Sequence, residues 1–177
     1  MPPRVVLVGL PGTGKSTVGA RLAGRLGVEF ADSDQLIEQA EGRTVPQLFA
    51  AVGEAGFRQL ESATVLAALG GFGGVLALGG GAVTTEAVRD GLRSAAVPVL
   101  LLTAPAAELL QRLDRAEDRP LLAGDPAGRL AELTAARAGL YAEVAGARVD
   151  TAGATVGQVV ERALALLVAE NAPEEAR

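Results

Sequence analysis

The chain has 177 residues, of which 49% are hydrophobic and 3% aromatic, enough for one domain with a mainly aliphatic core. Its net charge of -5 disfavours nucleic-acid binding, and the absence of cysteine and histidine excludes disulfides, thiolate chemistry, histidine bases and the usual zinc ligands. The N-terminal apolar run is too short for a signal peptide or a membrane span, so we expect a cytoplasmic protein with no membrane partner.

Short apolar runs alternate with segments of helical periodicity along the chain, which is typical of an α/β fold. The predicted strands cover residues 5–8, 28–31, 75–78, 97–102 and 148–150. The predicted helices cover residues 17–26, 35–41, 45–52, 54–69, a segment after the possible N-caps Thr84 and Thr85, and residues 106–113, 127–144 and 156–170. This order predicts a parallel sheet of five strands, with ligands bound beyond their carboxyl ends.

Two segments do not fit this alternation. Residues 114–126 are charged and interrupted by Pro and Gly, so we expect a loop or lid there that moves during catalysis. Residues 171–177 are polar and predict a disordered tail. Residues 1–170 are therefore expected to form a single domain.

The stretch GLPGTGKS, residues 9–16, matches the pattern GxxxxGK followed by Ser or Thr, between a predicted strand and a predicted helix. Lys15 is the only lysine, although Lys and Arg together number 16. An ammonium is a compact charge that fits a tight phosphate loop, where a planar guanidinium would be crowded. Since no second lysine remains for a guanine-reading motif, the sequence predicts a nucleotide that donates a phosphoryl group to a small acceptor.

Asp32 and Asp34 lie two residues apart at the end of a predicted strand. On an extended backbone they point to the same side, so one could serve Mg²⁺ and the other accept a proton from an attacking hydroxyl. The alternative is that one of them caps the next helix. Spacing alone leaves the two interpretations equal.

Three further features carry weaker signals. Arg58 and Glu61 stand three residues apart on a helix, a spacing that favours a surface ion pair over an anion site by about two to one. The triple glycine at residues 79–81 is either a plain turn or a backbone that approaches a ligand closely. Several arginines follow that could neutralise a transferring phosphoryl group, namely Arg112, Arg119 and Arg137.

Taken in order, these motifs resemble those of the shikimate kinase family over nearly the whole chain. The matching segments are residues 9–17, Asp32-Ser-Asp34, Phe57-Arg58-x-x-Glu61, residues 79–81, Arg119-Pro-Leu-Leu122 and Arg137-x-x-Leu-Tyr141. The resemblance implies a fold similar to nucleoside monophosphate kinases, with strand order 2-3-1-4-5. It also implies ATP-dependent phosphorylation of the shikimate 3-hydroxyl, with Mg²⁺, by a monomer.

Carried over by position, the resemblance implies roles for individual residues. Lys15, Asp34 and Arg119 would be catalytic, and Ser16 and Asp32 would serve Mg²⁺. ATP would be bound by Gly12, Thr13, Gly14, Lys15, Ser16, Thr17, Arg112 and Arg119. Shikimate would be bound by Asp34, Phe49, Phe57, Arg58, Glu61, Gly79, Gly80, Gly81 and Arg137.

Two segments depart from the family pattern. Ala77 and Leu78 carry no hydroxyl before the triple glycine, and the loop after Asp150 lacks the arginine and proline that some relatives place against adenine. Adenine would then rest on Arg112 and on the apolar side of that loop. A gluconate or nucleotide kinase, and a nucleotide-binding module without catalysis, are the alternative functions.

Overall fold

The computed structural model describes residues 1–114 and 125–170. The strands are β1 (Val5–Val8), β2 (Phe30–Asp32), β3 (Val75–Ala77), β4 (Val99–Thr103) and β5 (Ala147–Asp150). The α-helices are α1 (Lys15–Leu26), α2 (Ser33–Glu41), α3 (Val45–Gly71), α4 (Glu86–Ala95), α5 (Ala106–Asp114), α6 (Pro126–Val144) and α7 (Val156–Glu170). A short 3₁₀ helix spans Ala82–Thr84.

The five strands form one parallel sheet in the order β2-β3-β1-β4-β5, which confirms the predicted fold class. The central strand β1 is buried along its whole length, and its side chains alternate between the two faces of the sheet. Val6 and Val8 pack with residues of α3 and α4, whereas Val5 and Leu7 pack with residues of α1 and α7. The fold therefore has three layers, and the carboxyl ends of all strands open on one edge.

Helix α3 bends at Gly53, as the sequence predicted. Gly53 has φ 69° and ψ 178° inside the helix, a conformation that a residue with a side chain rarely adopts. The bend separates an N-terminal part, begun by a Thr44 capping box, from the part that carries Arg58 and Glu61. A small apolar cluster of Ile37, Leu48 and Phe57 joins α2 to α3 next to this bend.

Several predicted boundaries were displaced by two residues. Helix α1 begins at Lys15 rather than Thr17, and α2 begins at Ser33 rather than Gln35, because each helix starts directly from a strand-end loop. Of the two possible N-caps of α4, Thr85 occupies the cap position, although its side chain makes no cap hydrogen bond.

The expected lid at residues 114–126 lies largely, and the tail at 171–177 wholly, outside the described residues. None of the helices in the described ranges combines the length and the apolar character that crossing a bilayer requires.

Candidate active site

The phosphate loop joins β1 to α1 at the carboxyl edge of the sheet. Gly14 has φ 88°, a left-handed conformation that lets the chain turn directly into α1 at Lys15. The Lys15 ammonium donates hydrogen bonds to the carbonyls of Gly9 at 2.8 Å and Leu10 at 3.1 Å. The loop thus combines the N–H groups of a helix N-terminus with one cation, which is the arrangement that binds phosphate.

Ser16 and Asp32 meet across the sheet edge. The Ser16 hydroxyl donates to one oxygen of Asp32 at 2.6 Å, while the other oxygen accepts from the amide of Asp34 at 3.0 Å. Asp32 therefore caps α2, which confirms the capping interpretation for this residue. It also contacts the phosphate loop through Ser16, and its service to Mg²⁺ stays a prediction. The Ser16 hydroxyl and the Asp32 carboxylate thus place two oxygens beside the loop that could serve as metal ligands.

The carboxylates of Asp34 and Glu61 converge on Gly79. A Cβ atom built on Gly79 would lie 2.5 Å from Asp34 Oδ1 and 2.7 Å from Glu61 Oε1. Gly79 does not have a positive φ, so glycine is needed here for space rather than for conformation. The triple glycine is therefore not a plain turn, because it lets two acidic side chains approach the end of β3.

Arg58 and Glu61 form an ion pair that is buried, which corrects the expectation of a surface pair. Glu61 is 1% exposed and accepts a hydrogen bond from Arg58, whose side chain is 18% exposed. The Arg58 guanidinium lies over the rings of Phe57 and Phe49, at 5.4 and 5.8 Å from their centroids. The two rings stack with centroids 4.3 Å apart, and they hold the arginine from below.

One buried donor of Arg58 is left over. Among the described residues its Nε has no hydrogen-bond partner, and the nearest carboxylate oxygen, from Glu54, is 3.9 Å away. A buried charged donor without an acceptor is costly, so this part of the guanidinium is held in place by the Glu61 ion pair and the two rings.

Arg137 and Tyr141, from α6, both contact the triple glycine. Arg137 Nη1 donates to the Gly80 carbonyl at 3.0 Å and the Tyr141 hydroxyl donates to the same oxygen at 2.6 Å. On either side, the Gly79 amide donates to the Ser33 hydroxyl at 2.8 Å and the Gly81 carbonyl accepts from the Thr84 hydroxyl at 2.7 Å. Each glycine is thus fixed by a different element.

The charges of this cluster act on each other. Burial raises the pKa of Glu61, an effect opposed by the nearby Arg58 and Arg137 guanidinium groups and reinforced by Asp34. Burial also raises the pKa of Tyr141 to about 12, so its hydroxyl remains protonated and continues to donate at neutral pH.

Arg112 lies on the other side of the phosphate loop and is not simply solvated. Its guanidinium donates to Glu108 at 2.8 Å, to the Thr151 hydroxyl at 3.2 Å and to the Gly12 carbonyl at 3.4 Å. The second oxygen of Glu108 accepts from the Gly153 amide at 3.2 Å. The loop after β5, in which the expected arginine and proline are missing, is thereby tied to α5.

Comparison with known proteins decides the family. The shikimate kinase family model matches residues 11–168. The chain belongs to the shikimate kinase family. It is 48% identical to the shikimate kinase of Mycobacterium tuberculosis (strain ATCC 25177 / H37Ra) over 177 residues, covering 99% of both chains.

The solved structures agree with this assignment. A shikimate kinase from Acinetobacter baumannii in complex with shikimate has a TM-score of 0.91 and 37% identity, with 98% of this chain and 96% of that chain covered. A gluconokinase from Sinorhizobium meliloti 1021 has a TM-score of 0.64 and 22% identity over 96% and 93% of the two chains, a likeness that shows the fold alone. The protein is therefore an ATP-dependent kinase of the shikimate kinase family.

Most of the predicted site residues lie on the same edge of the shikimate kinase fold, in two groups. The residues predicted to bind the nucleotide surround the phosphate loop, and those predicted to bind the acceptor surround the triple glycine. Thr13 is directed inward, since its hydroxyl donates to the Leu10 carbonyl and the residue is 2% exposed. Arg119 lies outside the described residues, so its predicted role remains a prediction.

Sequence reasoning missed the residues that hold the site residues in place. Ser33, Thr84 and Tyr141 anchor the triple glycine, and Glu108 anchors Arg112. Two of them belong to motifs that the sequence shows. Ser33 is the middle residue of Asp32-Ser-Asp34, and Tyr141 is the last residue of Arg137-x-x-Leu-Tyr141. Their partners are distant in sequence, however, and only the fold brings them together.

Proposed function

We propose that this protein transfers the γ-phosphoryl group of ATP to the 3-hydroxyl of shikimate, giving shikimate 3-phosphate and ADP. One observation carries the proposal. Two arginines and two carboxylates surround the glycine turn after β3, on the same sheet edge as the phosphate loop after β1. A small acid with several hydroxyls needs cationic donors at one end and a carboxylate acceptor at the other.

Arg58 and Arg137 bind the substrate carboxylate in this proposal. The Arg58 guanidinium lies next to Gly81 and Arg137 donates to the Gly80 carbonyl, so both cations stand at the triple glycine. Glu61 keeps Arg58 in position, with the Phe49 and Phe57 rings beneath it. Acceptors without a carboxylate would leave these charges unmatched, which gives strong discrimination.

Asp34 receives the substrate hydroxyls. Its carboxylate lies beside Gly79 and Glu61, and Asp32 holds its amide. Phosphoryl transfer needs little proton removal before the transition state, so the main task of Asp34 is to align the 3-hydroxyl with the γ-phosphorus, and it can take the proton as transfer completes. Lys15 and the loop amides neutralise the charge that develops on the transferring oxygens.

The oxygen donors beside the loop fit Mg²⁺. Ser16 and Asp32 are hard ligands at hydrogen-bond distance from each other, and no cluster of three acidic side chains suitable for a metal occurs in the described ranges. Such a site suits an ion that keeps water and phosphate oxygens as its remaining ligands. When bound, Mg²⁺ would neutralise phosphate charge.

Three further assignments complete the proposal. Arg112 lies against the nucleotide base, supported by its contacts with Gly12 and Thr151 on either side of it. Arg119, by family resemblance, closes onto the phosphates from residues 114–126. Residues 1–170 form one domain in this proposal, which acts as a monomer in the cytoplasm.

An acceptor panel tests the proposal. Release of ADP would be followed with ATP, Mg²⁺ and either shikimate, gluconate or a nucleoside monophosphate, and the product would be located by phosphorus NMR. We expect turnover with shikimate only, and a phosphate on the 3-oxygen.

Arg58→Ala should raise the KM for shikimate by at least about tenfold, the cost of a charged hydrogen bond. Arg25→Ala, which removes an exposed arginine paired with Glu161, is the matched control and should not change it. Turnover with gluconate or with a nucleotide as acceptor would refute the assignment.

A further inference from the structure

Tyr141 is buried at the end of the Arg137 motif, and neither phosphoryl transfer nor substrate contact accounts for it. Its side chain is 4% exposed, and its hydroxyl donates to the Gly80 carbonyl at 2.6 Å, an oxygen that also accepts from Arg137 at 3.0 Å. The two donors stand four residues apart on α6, so they project from the same face of that helix. A single backbone oxygen therefore receives one neutral and one cationic donor.

We propose that Tyr141 is a positioning residue of the acceptor site, whose hydroxyl fixes the Gly80–Gly81 peptide and leaves Arg137 available to the substrate carboxylate. The inference rests on the proposed function, because it assigns the turn and Arg137 to the acid group of the acceptor. It extends that function by adding a residue that controls substrate affinity without touching the substrate.

The geometry of the peptide unit explains how one hydroxyl can act on the turn. A trans peptide is planar, so holding the Gly80 carbonyl also sets the direction of the Gly81 amide on the opposite side. Glycine has little rotational restriction of its own, and three in succession need external anchors to adopt one conformation. Ser33 anchors Gly79 and Thr84 anchors Gly81, which leaves Gly80 to the two donors of α6.

Removal of the hydroxyl would give Arg137 two competing partners. Within residues 1–114 and 125–170, its guanidinium would be the only donor left on the Gly80 carbonyl, while the substrate carboxylate would require the same group. The affinity for shikimate should therefore fall. The affinity for ATP should not change, because the phosphate loop is anchored by β1 and α1.

The Tyr141 hydroxyl can do this over the whole range of assay conditions. Burial raises its pKa to about 12, so it remains a donor at every pH at which the enzyme would be measured. Among the groups that face it, Arg137 and Arg58 lower the pKa of the hydroxyl and Glu61 raises it, but burial is the largest effect and keeps the proton in place at neutral pH.

The first test compares Tyr141→Phe, which removes only the hydroxyl, with Thr134→Val. Thr134 lies on the same helix and its hydroxyl donates to the Leu130 carbonyl, away from the turn. Tyr141→Phe should raise both the KM and the calorimetric Kd for shikimate by about 3- to 10-fold, the range of one hydrogen bond. The KM for ATP should change by less than about twofold, and the control should resemble the wild type.

A double-mutant cycle shows whether the hydroxyl acts through the shared carbonyl. If so, the effects of Tyr141→Phe and Arg137→Lys on shikimate affinity should be non-additive, because both change the donors to one oxygen. A lower melting temperature with an unchanged KM for shikimate, or an equal rise in both KM values, would assign Tyr141 a merely structural role and overturn the proposal.

A second measurement does not depend on any substitution. Tyr141 is the only tyrosine of the chain, so growth on 3-fluorotyrosine labels this position alone. Shikimate should shift the single fluorine resonance, and a non-hydrolysable ATP analogue alone should leave it in place. An unchanged resonance at saturating shikimate would refute the positioning role. Failure of the wild type to phosphorylate shikimate would instead refute the proposed function, so the two failures are distinguishable.

Discussion

Gly79→Ala is the sharpest perturbation of the acceptor site, because the structure gives the clash directly. The added Cβ would lie 2.5 Å from Asp34 Oδ1 and 2.7 Å from Glu61 Oε1, while ordinary contacts begin at 3.4 Å. Both carboxylates must therefore withdraw, by roughly 0.9 and 0.7 Å if they reach that contact distance. The backbone conformation of Gly79 is accessible to alanine, so the effect comes from space alone.

The displacement falls on Asp34, to which the proposed function assigns acceptor alignment, and on Glu61, which holds Arg58. A misplacement of about 1 Å can cost about 100-fold in rate, which corresponds to about 2.7 kcal/mol of transition-state stabilisation. We expect kcat/KM for shikimate to fall by about this factor in a coupled ADP assay at saturating ATP. Binding of a non-hydrolysable ATP analogue, measured by calorimetry, should remain within about twofold of the wild type.

Gly24→Ala is the matched control. Gly24 lies inside α1, and a Cβ there would meet nothing within 4 Å. This variant should keep full activity and gain about 0.5–1 kcal/mol in the free energy of unfolding, the usual effect of replacing glycine in a helix. If Gly79→Ala kept kcat/KM for shikimate within about threefold of the wild type, the convergence of the two carboxylates on this turn would not serve acceptor alignment.

Three further predictions concern single groups. Lys15→Arg keeps the positive charge but puts a broad guanidinium into the loop, so turnover should fall by at least about 100-fold with little change in melting temperature; near-normal turnover would contradict the argument from shape. Ser33→Ala leaves the partly buried Gly79 amide without its partner, so chemical denaturation should show a loss of about 1 kcal/mol and the KM for shikimate should rise; unchanged stability and KM would mean that this anchor is dispensable. Burial raises the pKa of Glu61 above its ordinary 4.5, so the folded protein holds that proton more tightly than the unfolded chain. The stability from this proton is complete below about pH 4.5 and is lost as the pH rises through the folded pKa, so the unfolding free energy of Glu61→Gln relative to the wild type should increase with pH; a pH-independent difference would refute the burial effect.

The fold could be predicted from the sequence because its signals are local. Four-residue apolar runs such as Val5–Val8 and stop signals such as Gly27 mark the elements, and alternation of strands and helices fixes a parallel sheet. The strand order came from family resemblance rather than from any local pattern. The predicted helix starts were wrong where a helix begins directly after a glycine-rich loop, as at Lys15. The glycines of that loop hide the start of the helix, because they are present for the loop conformation and not for the helix.

The sequence predicted which residues form the site, but it did not predict which of them are buried. A spacing of three residues between Arg58 and Glu61 is the same for a surface pair and for a buried one, and only the packing of α2 against α3 distinguishes them. The anchors Ser33 and Tyr141 contact glycines 46 and 61 residues away, a relation that no local pattern contains. What the sequence does carry is the list of side chains able to bind phosphate and carboxylate.

The central claim is that two arginines, which bind the carboxylate of the substrate, and a phosphate loop face each other within one cleft. A crystal structure with shikimate, Mg²⁺ and a non-hydrolysable ATP analogue tests it most directly. We expect the substrate carboxylate at hydrogen-bond distance from Arg58 and Arg137, and the 3-hydroxyl between Asp34 and the γ-phosphate held by Lys15. Shikimate bound elsewhere, or bound in the reverse orientation with its carboxylate toward Lys15, would contradict the account.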